Sequence, residues 1–233
     1  MIRQLGKIRR RQVLIDINTQ NDFFLDDGKA RVGNRRRVLS HIRRMIALAR
    51  ARHIPVISIC QIHPNDNGGS AIDYCIDGTT GQRKITYTLL SNRASFAADN
   101  NTDLPIDILR RYRQIILHAR CSDPFSEPRI DRLLSEIRAN EFILIGASAE
   151  GAVEATALGL LQRGKKVSVV VDAVGSIDKR KAKHALRKIG AKGARLVETK
   201  RIAGTSHLKS VGVLKNGNGQ KQAQEPVLKP AAK

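Results

Sequence analysis

Tryptophan is absent from this chain, and aromatic residues make up only 3% of its 233 positions. Aliphatic side chains must therefore fill the interior, and aromatic interleaving for base stacking is missing. Cysteine is scarce. Cys60, Cys75 and Cys121 are odd in number, scattered, and form no metal-type CxxC pair. That excludes a disulfide framework and fits reduced thiols in a reducing, cytoplasmic compartment. No apolar run approaches the roughly 20 residues a membrane helix needs. Met1–Gln12 has basic residues but no apolar stretch before Val13, so no secretory signal is expected. Acids are few as well: 21 Asp and Glu face 42 Lys and Arg, a formal charge of +21. A charge that large favours anionic partners and says nothing about the fold.

Hydrophobic residues make up 41% of the chain, enough for a packed core at this length. They fall into short runs at Gln12–Asp16, Val56–Cys60, Gln114–Leu117, Phe142–Gly146, Lys166–Asp172 and Ala194–Glu198. Each reads as a buried strand. Between them lie helical stretches. From Asn34, an expected cap, to about Arg52, the residues Val38, Ile42, Met45, Ile46 and Ala49 recur at helical spacing. Further helices are expected at Ile106–Tyr112, Ile130–Ala139, Gly151–Arg163 and Lys179–Ile189. Gly164 supplies a stop signal for the helix at Gly151–Arg163. A short hairpin is one reading of Lys84–Leu90. Alternation of strands and helices predicts a three-layer, doubly wound, mostly parallel sheet of Rossmann-like topology. One α/β domain is expected over 1–202, followed by a basic, disordered tail over 203–233.

In such sheets ligands sit beyond the carboxyl ends of the strands. Asp16, His118–Phe125 and Gly146–Ala152 occupy those places. Four stretches there resemble the isochorismatase-like cysteine hydrolases, which include the nicotinamidases. VLIDINTQNDFF resembles the family's opening strand. HIPVISICQIHP with YCIDGTTGQ resembles its second strand and the glycine turn after it. ILHARCSDPF resembles the segment that bears a lysine ahead of Ser-Ala-Phe. IGASAEGAVEATALGLLQRGKKVSVVVDAVGS resembles the Gly-x-x-Thr-Asp-x-Cys-Val run, and the likeness extends over Val13 to Glu198.

The resemblance implies an Asp–Lys–Cys triad in which a thiolate attacks an amide or related carbonyl. Carried onto this chain, the base falls on Asp16, the cysteine on Ala152, and the lysine on His118 or Ala119. Ala152 cannot attack a carbonyl, so the resemblance implies a hydrolase-shaped pseudoenzyme that binds a small molecule or a partner. Free N–H groups at Gly151–Ala152 would suit an anion or carboxylate. Glu150, Gly151 and Phe23 are the ligand-contact candidates, with Glu150 also a support for the turn. The rival reading is a diverged hydrolase in which Cys121 or water acts with Asp16 as base. His63 in QIHP stands where nicotinamidases hold a metal, but Gln61 replaces the acid; no metal and no cofactor are expected. Cys75 is expected to pack.

Basic residues cluster. Residues 178–233 hold fifteen Lys or Arg against three Asp or Glu, and Met1–Gln12 hold five against none. Such density can bind phosphate backbones, so a nucleic-acid partner engaged through the basic surface and tail is a further expectation. No zinc-finger, RNA-recognition or helix-turn-helix pattern accompanies it. Membrane binding is not expected. Homo-oligomers are implied by the resemblance alone.

Overall fold

A computed structural model describes residues 9–10, 12–65 and 72–204 of the chain. The expected runs form strands β1 (Val13–Ile17), β2 (Val56–Gln61), β4 (Gln114–Ala119), β5 (Phe142–Gly146), β6 (Val167–Val174) and β7 (Arg195–Val197). A further strand, β3 (Arg93–Phe96), lies at one edge. All seven belong to one sheet of order β3-β4-β2-β1-β5-β6-β7, and every pairing is parallel. β1, β2 and β5 are buried at every position, as central strands covered on both faces must be.

Helices cover both faces. On one side lie α1 (Asn21–Phe24), α2 (Arg35–Ala51) and α7 (Thr199–Ala203). Val38, Ile42, Met45, Ile46 and Ala49 of α2 pack with Leu14, Ile143, Ile145 and Val170. On the other side, α4 (Pro128–Glu136), α5 (Ala152–Gln162) and α6 (Lys179–Ala191) join Val13, Ile15, Ile17, Leu144 and Val169. A short helix α3 (Ile108–Arg111) precedes β4. Val13, Ile15 and Ile17 point to one core and Leu14 to the other. That alternation sets Asp16 on the α2 side of β1.

Several expectations need correction. Lys84–Leu90 forms no hairpin: Thr86–Thr88 is a turn of 3-10 helix, and the strand of this region is β3. Asn34 precedes α2 but makes no side-chain cap. Asp178 does cap α6, accepting from the Arg180 and Lys181 N–H groups. The expected tail lies, beyond Gly204, outside the described residues.

The chain passes from β1 to β2 on one side, and β5 returns to the other side of β1. Strand order therefore reverses between β1 and β5, which opens a crevice at their carboxyl ends. Gly146 makes that junction possible. Its φ is +118°, and a Cβ there would lie 1.8 Å from the Ile17 carbonyl oxygen, so no other residue fits.

Candidate functional site

Asp16 is the penultimate residue of β1, level with Ser58 of β2 on one side and Ile145 of β5 on the other. It is fully buried. One carboxylate oxygen, Oδ2, accepts from Lys84 Nζ at 2.7 Å, Ser58 Oγ at 2.9 Å and Thr19 Oγ1 at 3.1 Å. The other, Oδ1, is buried and has no hydrogen-bond partner among the described residues. An unpaired buried acceptor costs about 1–3 kcal/mol, so its retention asks for a reason.

Lys84 arrives by backbone pairing. Residues 83–85 run antiparallel to 19–21: Asn21 N–H donates to Arg83 O, and Ile85 N–H to Thr19 O, both at 2.9 Å. This lays the Lys84 side chain, 5% exposed, over the end of β1. Its ammonium also donates to Thr19 Oγ1 at 2.5 Å. Burial alone would lower the Lys84 pKa, but the Asp16 and Cys60 charges and the Asp16 hydrogen bond raise it overall. The network continues outward. Gln114 Nε2 donates to Ser58 Oγ at 2.9 Å and to Thr88 O at 2.9 Å.

The rest of the opening motif shapes backbone. Gln20 Nε2 donates to Gln61 O and Gln82 O, while Gln20 Oε1 accepts from Gln61 N–H. Phe23 is core: it is 2% exposed and meets the Tyr74 ring edge-on at 5.6 Å. Tyr74 in turn meets His63 edge-on at 5.1 Å.

At the end of β5, Ala152 is the first residue of α5 and is 5% exposed. It packs in the core beneath α4 and α5, with Ala149 and Val153. The expected free N–H groups are partly used. Ser148 O accepts from both Gly151 N–H and Val153 N–H at 3.1 Å. Glu150 is a strap: its Oε1 accepts from Ile177 N–H and Asp178 N–H at 2.8 Å, tying this turn to the entry of α6.

His118 and Cys121 do not join Asp16. His118 lies on β4, separated from β1 by β2, and its Nδ1 contacts Phe96 O on the edge strand at 2.9 Å. Ala119, the other candidate for the lysine position, is buried on the opposite side of the sheet from α2. Cys121 is exposed, with its thiol 2.8 Å from Ser126 Oγ and 3.2 Å from Asp123 O. The buried thiol whose ionisation both charges affect is Cys60. Burial pushes it up to about 11, with Lys84 lowering and Asp16 raising it. Cys75 is buried, as expected, and its N–H donates to Asp22 Oδ2 at 2.6 Å.

The residues present do not fit the nicotinamidase metal. His63 is buried and its Nε2 has no partner among the described residues, but Gln61, at the acid's place, accepts from Asn18 Nδ2 at 3.1 Å through its carboxamide oxygen. Among the described residues no three His, Cys, Asp or Glu gather as ligands. A cleft of about 480 Å³ opens beside α1 between Asn21, Asp22, Lys29, Asp73 and Thr80. Neither Asp16 nor Ala152 lines it.

Residues 12–201 match the Isochorismatase domain model. Among solved structures the chain is similar to the pyrazinamidase of Pyrococcus horikoshii in complex with zinc, at 20% identity over 81% of this chain and 99% of that one, with a TM-score of 0.63. An isochorismatase family protein from Desulfovibrio vulgaris is 19% identical over 83% and 96%, with a TM-score of 0.67. A ribonuclease from Caenorhabditis elegans is 20% identical over 85% and 82%, with a TM-score of 0.58. At these identities the likeness is one of fold. Among curated proteins none matches the chain in sequence.

Proposed function

The chain belongs to the isochorismatase domain family, and from that premise we propose that it binds a small polar molecule at the carboxyl ends of β1 and β5 without performing the family's cysteine-dependent hydrolysis. One observation carries this reading: the first residue of α5, where a nucleophile would stand, is Ala152. A methyl group has no lone pair to offer a carbonyl. Loss of a side-chain nucleophile costs about six orders of magnitude in rate.

The thiols present are poor substitutes. Cys60 is 1% exposed and, with its pKa pushed up to about 11, stays protonated at neutral pH. Cys121 is two strands from Asp16 and already engaged by Ser126 and Asp123. Asp16 is better suited to holding than to deprotonating. Lys84, Ser58 and Thr19 saturate Oδ2, while Oδ1 keeps an open acceptor for an N–H or O–H of a bound molecule.

The test is turnover. Wild-type protein and Asp16→Asn are incubated with nicotinamide and a panel of other amides and esters, and product is measured against blank. The expected outcome is no product from either. Hydrolysis by the wild type that disappears in Asp16→Asn would overturn the proposal in favour of a diverged hydrolase. Repeating the panel with Cys121→Ser then decides whether that thiol takes part.

A further inference from the structure

The first turns of two long helices carry charge of the wrong sign. α2 opens with Arg35, Arg36 and Arg37, α6 with Lys179, Arg180 and Lys181, and neither has an acid in its first turn. The partial positive charge of a helix N-terminus favours acids there and disfavours cations. Acids are missing over long stretches around both: none occurs in residues 28–65 or 179–197. Local helix stability cannot account for this arrangement.

The two helix starts adjoin. Gly33 N–H, just ahead of α2, donates to Ser176 O, just ahead of α6, at 3.1 Å. A Cβ on Gly175 would meet the Val32 side chain at 3.0 Å. Both helices follow the carboxyl ends of their strands, so six cations converge at one corner of the molecule. Three acids near the corner are engaged within the fold. Asp26 pairs with Arg35, Asp178 caps α6, and Glu150 holds the Ile177 and Asp178 amides. Among the described residues, no ion pair involves Arg36, Arg37, Lys179, Arg180 or Lys181, and all five are exposed. Lys183 and Arg187, also exposed, extend the line from Arg180 along α6 at helical spacing, about 10 Å over two turns.

We propose that this crest binds the phosphodiester backbone of a nucleic-acid duplex. The charge is complementary, and converging cations gain most from a ligand that presents several anions at once. A duplex suits better than a single strand. Single-strand grooves stack bases on aromatic rings, and no large aromatic residue is exposed among the described residues. Backbone contacts position a duplex without reading its bases. A lipid surface suits less well, because the apolar face of α6 (Ala182, Ala185 and Ile189) is buried in the domain and cannot insert.

The experiment uses the full chain and a labelled RNA duplex, the corresponding DNA duplex, one unpaired strand and phosphatidylserine vesicles, each over a salt series. The cluster variant combines Arg36→Gln, Arg37→Gln, Arg180→Gln and Lys181→Gln. The control removes the same charge near the opposite ends of the strands, through Arg52→Gln, Arg110→Gln, Arg138→Gln and Lys192→Gln. Far-UV circular dichroism checks that both remain folded. The cluster variant is expected to bind duplex at least about thirtyfold more weakly and to lose up to about 3.6 from the salt slope, at roughly 0.9 per phosphate contact for four contacts. The control should stay within about threefold of wild type, because remote charges are screened. Equal losses in both variants would reduce the effect to net charge and overturn the proposal. So would an unchanged cluster variant, or tighter binding to the single strand or the vesicles than to either duplex.

Discussion

Lys84 and Asp16 meet across 68 positions of sequence, and both are buried. A buried pair of this kind is costly to break, because the partner left behind is an uncompensated charge. Lys84→Met is therefore expected to lower the urea unfolding free energy by about 3–5 kcal/mol. Adding Asp16→Asn to it should recover part of that loss. Strict additivity of the two single changes would show that the pair is not coupled. Cys60 gives a second expectation. Its folded pKa, about 11, lies above the ordinary 9.0. Between those values the folded state keeps a proton that the unfolded chain releases, so stability falls as pH rises through the window. Lys84, also raised, acts in the same direction above its ordinary 10.5. Cys60→Ala should flatten the alkaline decline by up to about 1.4 kcal/mol per pH unit between pH 9 and 11; an unchanged slope would refute the assignment. Asp16 was legible in the sequence because an acid that ends an apolar strand has few other uses. Lys84 was not, since only the antiparallel pairing of 83–85 with 19–21 brings it there. A lysine in a loop carries no such signal.

Elements were legible where their burial is uniform. β1, β2 and β5 read directly as apolar runs, whereas β3 does not. Its residues Arg93, Ala94, Ser95 and Phe96 alternate between exposed and half-buried, as an edge strand's do, and only the parallel pairing with β4 defines it. α2 was equally plain from its periodicity and α6 was expected as a basic helix, but their sequences show a cost that the helix assignment hides. If the cations of their first turns serve binding and not stability, exchanging them should stabilise the protein. Arg36→Glu with Lys181→Glu is expected to raise the unfolding free energy by about 0.5 kcal/mol per site. In a chain of this size that is a rise of about 2–4 °C in Tm. Moving the same exchange to the last turns, at Arg50 and Lys188, should lower Tm, because cations belong at that end. Lys188 also loses its 2.8 Å pair with Glu154 there. A fall in Tm for the first-turn exchange would mean that Arg36 and Lys181 support the fold.

At the scale of the whole molecule, topology fixes where chemistry can occur, and charge fixes what can approach. Parallel order places every strand's carboxyl end on one side, so the Asp16 pair, the Ala152 turn and the two basic helix starts share it. That much follows from alternating strands and helices in the sequence. The closeness of the helix starts does not, because it depends on the Gly33–Ser176 hydrogen bond and on Gly175 leaving room for Val32. A folded chain with charge +21 works against its own repulsion. The ion pairs of the fold relieve little of it, since most have at least one exposed partner and are screened by water. The main exception, Lys84 with Asp16, is buried and insensitive to salt. Added sodium chloride should therefore screen more repulsion than attraction. Tm, followed from low to physiological ionic strength, is expected to rise, and to rise less in a variant that has lost four cations of the crest. A Tm that falls with salt would show that attraction between charges outweighs their repulsion. In that case the cationic corner would be balanced by acids within the chain and would have no need of an external anion.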